Sequence, residues 1–179
     1  MLSIADLMGA MECPEVRANK WISHINATLE KFNINSIPRI TAFLAQIGHE
    51  SGKLIYTKEL WGPTPAQQRY EGRIDLGNIK TGDGFKFRGR GLIQITGRKN
   101  YQICGKQLGI DLEAYPELLE TPEYAAQSAG LFWETHGCNE LADKNDFRGI
   151  TKIINGGYNG LDDRIKIYEH AKTILLGDV

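Results

Sequence analysis

Phe43-Leu44-Ala45-Gln46-Ile47-Gly48-His49-Glu50-Ser51-Gly52, followed nine residues after Glu50 by Glu59, is the stretch on which the reading of this chain turns. Extended back to about Ser36, it reads as a helix whose Ile37, Ile40, Leu44 and Ile47 form one apolar stripe at helical spacing. At about 100° per residue, Arg39, Gln46 and His49 fall on the opposite arc, and Glu50 lands on the border between the two. Gly52 suits a left-handed C-cap. A carboxylate in the last turn of a largely buried helix meets the negative end of the macrodipole and is partly desolvated; both effects favour its protonated form. A general acid needs that property near neutral pH. Beyond Gly52 the chain reads as an extended return that brings Glu59 round to face Glu50, giving a candidate acid and base.

Two glutamates at this spacing also occur widely as solvated surface charges. The pair His49-Glu50 suggests the helix of a zinc protease, but that motif needs a second histidine where Lys53 stands.

The 179-residue chain has 41% hydrophobic and 24% charged residues, the balance of a globular domain long enough to bury a substantial core. It reads as one domain over 1–179, with 56–84 as a smaller lobe or groove-wall insertion. No apolar run reaches the roughly 18 residues that span a bilayer. Met1-Leu2-Ser3-Ile4-Ala5-Asp6 has no basic region ahead of an apolar core, so no secretory signal is read. Cys13, Cys104 and Cys138 are an odd number at wide spacing. They point to buried thiols in a reducing compartment rather than to a disulfide framework. With a net charge of −1, no overall field draws the chain to nucleic acid. Residues 84–110 nevertheless carry Lys86, Arg88, Arg90, Arg98, Lys99 and Lys106 and no acid. Such a run suits an anionic polymer, or equally a solvated face balanced elsewhere in the fold.

Along the chain, residues 3–11 read as a short helix and Pro14–Phe32 as a second, with Ala18, Trp21, Ile25, Leu29 and Phe32 at helical spacing. From about Tyr56 to Gly84 the pattern breaks down around Pro63, Pro65 and the glycines Gly62, Gly72, Gly77 and Gly82, with only Ala66–Tyr70 suggesting a helical turn. A connection this long is usually functional. In Gly84-Phe85-Lys86-Phe87-Arg88-Gly89-Arg90-Gly91-Leu92-Ile93-Gln94-Ile95-Thr96, alternation predicts two short strands around a Gly-Arg-Gly bend. Gln94 and Thr96 would share a face of one strand, as suits a binding cleft or a plain solvent edge. The segment lacks the Gly-Lys-Ser/Thr ending of a phosphate loop and the spacing of a dinucleotide fingerprint. Further helices are predicted over Lys99–Leu108, from Thr121-Pro122 with a capping Thr, over Asp146–Ile154, and over Leu161–Leu176 with Leu161, Ile165, Tyr168, Ala171 and Leu175 buried. The whole reads as mainly helical with a small strand ribbon.

Taken together, His49-Glu50-Ser51-Gly52, Phe87-Arg88-Gly89-Arg90-Gly91-Leu92-Ile93-Gln94-Ile95-Thr96, Asn100-Tyr101 and Ile153-Ile154-Asn155-Gly156-Gly157 resemble glycoside hydrolase family 19. This chitinase family also includes bacteriophage and prophage endolysins, and the resemblance covers roughly residues 36 to 176. Tyr70–Asn78 and Gly82-Asp83-Gly84 are similar to the endolysin branch. Phe87 replaces a usual Tyr and Leu92 a usual Pro, and the long chitin-binding loops of plant enzymes are not found.

The resemblance implies a lysozyme-like α+β fold with a cleft between two lobes, and inverting hydrolysis of β-1,4-linked N-acetyl amino sugars without metal or cofactor. Glu50 matches the general acid, Glu59 the general base, and Thr96 the hydroxyl that helps hold the attacking water. Gln94, Asn100 and Tyr101 match sugar-binding positions and Asn155 a cleft Asn. Arg164 matches an arginine that interacts with the carboxylates and would keep Glu59 ionised. His49 matches an active-site-adjacent histidine in a supporting role. Inversion requires about 6.5–9.5 Å between the carboxyl groups, leaving room for one water. The expectation is a monomeric endolysin, resident in the host cytoplasm and acting on peptidoglycan once the membrane is opened, with no nucleic-acid partner and no stable membrane insertion. Chitinase activity, or a non-catalytic wall- or nucleic-acid-binding role for the basic run, are the alternatives.

Overall fold

The structure, a computed structural model, describes residues 1–177. In chain order its helices are α1 (Ile4–Met11), α2 (Glu15–Lys31), α3 (Ile37–Glu50), α4 (Pro65–Gln68), α5 (Asp83–Lys86) and α6 (Arg98–Leu108). They continue with α7 (Pro122–Thr135), α8 (Cys138–Asp143), α9 (Phe147–Asn155) and α10 (Leu161–Leu176). Two 3-10 turns, Ile74–Leu76 and Pro116–Glu120, complete the described elements. Side-chain caps begin several of these helices. Ser3 and Asp6 form a capping box on α1, Ser36 accepts from the Arg39 N–H on α3, and Asp146 accepts from Gly149 on α9. The predicted Thr121 cap is not formed: its hydroxyl donates to the Leu118 carbonyl.

The central element is α3. Its residues Thr41 to Gly48 are all buried, because α10 lies along it and α1, α8 and α9 also pack against it. The division into apolar stripe and polar arc therefore does not hold. Ile37 and Ile40 are only half-buried, while Gln46 is 0% exposed. Neighbours on every side, rather than periodicity, set the burial of this helix. On α10 the predicted stripe holds in part: Tyr168 and Ala171 are buried, but Ile165 is 40% exposed, Leu161 and Leu175 are only half-buried, and Arg164 and Ile167 turn inward instead. The cause is Arg164, whose charge is satisfied inside the fold. α7 approaches α2 closely at Gly130, where an added Cβ would meet the Phe32 ring at 2.3 Å. Trp133 packs edge-on against Phe43, at 5.3 Å between ring centroids.

A second, smaller core of Phe87, Tyr101, Cys104, Leu112 and Leu119 lies under the middle segment. The predicted strand ribbon is replaced there. Asp83–Lys86 is a helical turn, and pairing shrinks to isolated bridges from Arg90 to Lys58 and to Ile95. Gly91, at φ +102°, breaks the extended path and lets Arg90 and Ile95 exchange both backbone hydrogen bonds across a tight loop. α8 has six residues, too few for a periodic signal. All three cysteines are free and buried, and burial pushes the Cys104 and Cys138 thiols up to about 11 and about 12.

Candidate active site

Glu50 ends α3, half-buried, and its Oε1 accepts a 2.5 Å bond from Arg164 Nη2. Arg164 is 1% exposed and spends its whole guanidinium locally: Nη1 donates to Gln46 Oε1 at 2.6 Å and Nε to the Asn159 carbonyl at 3.2 Å. Gln46 in turn donates through Nε2 to Thr151 Oγ1 at 2.9 Å, and Thr151 donates to the Phe147 carbonyl. Asn155 Oδ1 accepts from the Asn159 N–H at 3.1 Å. Side chains from α3, α9 and α10 and the 156–160 turn thus converge on one carboxyl group. His49, beside it, pairs through Nδ1 with Asp163 at 2.7 Å. Gly160, at φ +72°, packs so closely on the imidazole that a Cβ there would fall 2.3 Å from His49 Cε1.

This arrangement corrects two expectations. Arg164 is paired with Glu50 rather than with Glu59, and being enclosed it reaches the carboxylate, not a substrate. The sequence-based argument for Glu50 counted the dipole and burial but did not foresee the guanidinium beside its carboxyl group. Gln46 was assigned to the polar face, and its role as the link between Arg164 and Thr151 went unread. The only sequence signal was a polar residue among the apolar ones of α3.

Glu59 lies on the return segment, where its backbone N–H donates to the Gly89 carbonyl at 2.9 Å. Its Oε1 accepts from the Gly89 N–H at 2.7 Å, and Oε2 from Gln67 Nε2 at 3.2 Å and the Tyr70 hydroxyl at 3.4 Å. Burial, and then the Glu59 charge, push the Tyr70 phenol upward, so it remains a donor. Gln67 is held by the capping box with Thr64, which leaves its amide aimed at Glu59. Neither Gln67 nor Tyr70 was singled out from sequence; the Thr64-Pro65-Ala66-Gln67 pattern was the available signal.

Gln94, which is exposed, and Thr96, half-exposed, stand over Gly89. A Cβ on that glycine would come 2.5 Å from Gln94 Oε1 and 3.3 Å from Thr96 Oγ1. Both side chains therefore adjoin the residue that holds Glu59, although a loop rather than a strand puts them there. Asn100, exposed, donates to the Thr96 carbonyl at 2.8 Å. Gln94, Thr96 and Asn100 line one end of a depression of about 300 Å³ that runs between α6 and α7 to Gln107 and His136. Tyr101 does not join them. It is 0% exposed, donates to the Arg88 carbonyl and accepts from Arg90, and burial pushes its phenol up to about 12. It is a core residue, out of reach of a sugar.

The basic run is not one surface. Arg90 is buried against Glu120, and Arg98 against Asp83 and Glu113. The Arg98 guanidinium holds the Asp83 carboxyl below its ordinary value. Among the described residues, Glu50 and Glu59 share no hydrogen-bond partner; each is held by its own framework.

The sequence profile of the family described as chitinase class I, glycoside hydrolase family 19, matches residues 34–146. A glycosyl hydrolase family 19 domain-containing protein of Haemophilus influenzae is 35% identical over 193 aligned residues, covering 88% of this chain and 94% of that one. An endochitinase of Arabidopsis thaliana is 36% identical over 119 residues, and the match covers 39% of the plant enzyme's length. Among solved structures, a bacterial family 19 chitinase superposes with a TM-score of 0.73 at 24% identity, covering 98% of this chain and 95% of that one. Chitinase C from Streptomyces griseus gives 0.73 at 23% identity, covering 97% and 76%. The structural likenesses establish the shared fold.

Proposed function

The chain belongs to glycoside hydrolase family 19 and hydrolyses glycosidic bonds, and from that premise we propose that its substrate is the glycan strand of bacterial peptidoglycan. On this reading it is an endolysin of the phage type that cleaves the β-1,4 bond between N-acetylmuramic acid and N-acetylglucosamine and reaches the wall from the host cytoplasm once the membrane has been opened. The observation that carries the catalytic part is the contrast between the two carboxylates. Glu50 is fixed by a single cationic fork from α10, and Glu59 by a backbone N–H and two neutral donors beside Gln94 and Thr96. Two acids in such different settings suit a division of labour.

Glu50 protonates the departing glycosidic oxygen as its proton leaves the shared environment of Arg164. Glu59, free of any ion pair among the described residues and oriented by Gly89, takes a proton from water. Thr96 accepts from and donates to that water with one hydroxyl, and the water attacks the anomeric carbon from the face opposite the leaving group, inverting it. Gln94 and Asn100 bind the sugar beside Thr96, and Asn155, exposed at the end of α9, contributes a further contact to it.

The peptidoglycan part is supported by the 70–84 segment, whose endolysin-like residues are structural. Asn78 ties the Tyr70 carbonyl to the Arg98 N–H, and Asp83 pairs with Arg98. A chitinase reading is favoured by the endochitinases among the relatives. Mass spectrometry of products from purified peptidoglycan and from chitin oligomers, with wild type and Glu50→Gln, separates the two. Muropeptides with muramic acid at the reducing end, absent with the variant, are expected. Release of chitin fragments alone overturns the peptidoglycan assignment, and undiminished activity in Glu50→Gln overturns the acid.

A further inference from the structure

Arg88 is an arginine without a carboxylate. Arg90 and Arg98, its neighbours in the basic run, are ion-paired, yet no described acid lies within ion-pair distance of Arg88. Its side chain is half-buried, lies with Cζ 4.0 Å over the Phe85 ring and donates from Nη1 to the Phe85 carbonyl at 2.9 Å. Burial and the charge of Arg90 both weigh against its cationic form. The acids that could relieve it are already engaged: Glu120 with Arg90 and Lys58, and Glu59 with Gly89, Gln67 and Tyr70. A partly desolvated, unpaired guanidinium costs stability unless something else completes it.

The surroundings say what that something is. Arg88 directly precedes Gly89, whose N–H holds Glu59. Phe85 is 51% exposed and meets the half-exposed Trp61 edge-on at 5.3 Å, and Trp61 also approaches Tyr70 at 6.3 Å. Trp61 itself follows Glu59 by two residues. An aromatic wall and a free planar cation thus stand together beside the candidate base. Aromatic faces take the C–H surface of a sugar ring, and a guanidinium fork takes a carboxylate bidentately.

We propose that Arg88, stacked on Phe85, is a receptor for a carboxylate carried by the glycan strand, with Phe85 and Trp61 forming the wall against the adjoining sugar. This assignment rests on the peptidoglycan reading, because chitin has no carboxylate and peptidoglycan has two sources of one. The peptide stem carries several, and the lactyl group of muramic acid exposes one wherever the stem has been removed. The site therefore favours carboxylate-bearing strands over neutral ones.

The test compares wild type, Arg88→Gln and Arg88→Lys on three substrates: soluble strands with stems, the same strands stripped by an amidase, and chito-oligosaccharides. For Arg88→Gln, the ratio of kcat/KM on stem-bearing or on stripped strands to that on chito-oligosaccharides is expected to fall about tenfold, chiefly through KM, the scale of one charge-assisted contact. Arg88→Lys, which keeps the charge and loses the fork, falls in between. A loss confined to stem-bearing strands identifies the stem, a loss confined to stripped strands identifies the lactyl carboxylate, which is an amide wherever a stem is attached, and a loss on both shows that either carboxylate is accepted. The wild-type KM on strands rises with salt and that of Arg88→Gln stays flatter. Equal losses on all three substrates, or ratios unchanged for both stem-bearing and stripped strands, overturn the carboxylate receptor while wild-type cleavage of peptidoglycan still stands. Wild type that leaves peptidoglycan uncut overturns the substrate reading itself.

Discussion

Replacing Gln46 with leucine removes the amide that joins Arg164 to Thr151 without changing the size of the side chain much. Gln46 is fully buried, so no water enters to take its place. Arg164 Nη1 loses its 2.6 Å acceptor, a bond to a charged donor, and Thr151 loses the amide donor while keeping its own bond to Phe147. A lost bond to a charged group, leaving a donor buried and unpaired, costs about 3 kcal/mol. At this chain length that lowers Tm by about 6–12 °C. The catalytic consequence is separate. With Nη1 free, the guanidinium is held only by Asn159 and by Glu50 itself, so the acid is no longer fixed at the reacting oxygen. Loss of alignment of that kind reduces kcat by about 10–100-fold with little change in KM. Gln46→Glu separates positioning from packing. Its carboxylate still accepts from Arg164 but competes with Glu50 for the same cation, so the alkaline limb of the rate–pH profile, which requires a protonated acid, moves to higher pH. It also forces Thr151 to turn its proton away from Phe147. The assay is hydrolysis of soluble glycan strands across pH, at a temperature where circular dichroism shows each variant folded. A folded Gln46→Leu with kcat within twofold of wild type, and a Gln46→Glu profile that does not move, would refute the claim that this relay places the acid.

Three further outcomes are expected. Glu50→Gln and Glu59→Gln each lower kcat by about 10²–10⁴-fold, the contribution of a positioned acid or base, measured as release of reducing ends. Gly89→Ala leaves the backbone unstrained but puts a methyl 2.5 Å from Gln94 Oε1, which must swing away over Thr96. Activity falls at least tenfold while Tm changes by only a few degrees, since the displaced side chain is exposed and flexible. Asp83→Asn leaves the buried Arg98 with Glu113 alone and costs about 3 kcal/mol at neutral pH. Asp83 is held below its ordinary carboxylate value by Arg98, so its stabilisation is present above that value and is lost as pH falls through the depressed one. The stability gap between variant and wild type, followed by urea unfolding, therefore narrows in strong acid.

Much of this molecule was legible along the chain. Side-chain spacing and capping contacts act locally, so α1, α2, α3 and α9 lie close to where predicted, although the caps at Ser3, Ser36 and Asp146 were not singled out and the one that was, Thr121, is not formed. Glu59, Gln94 and Thr96 were named from short motifs, and the structure gathers them round Gly89. Three of the failures share one cause. Gln46 was placed on a surface by pattern, and Tyr101 and Arg164 at the cleft by resemblance, yet each is enclosed and satisfied by a partner outside its own helix. Arg164 meets Glu50 across more than a hundred residues of chain, and no periodicity within one helix reports such a partner.

The positions of the longer helices and the spacing of the two glutamates were determined by the sequence itself, because backbone hydrogen bonding and side-chain period act within a few residues. Only the folded chain decided which carboxylate Arg164 holds, that Gly89 holds the other, and that Arg88, alone among the three arginines of its run, is left with an aromatic ring and no acid. Those outcomes depend on which charges are brought together as α3, α10 and the 84–98 loop pack, where burial makes each pairing obligatory.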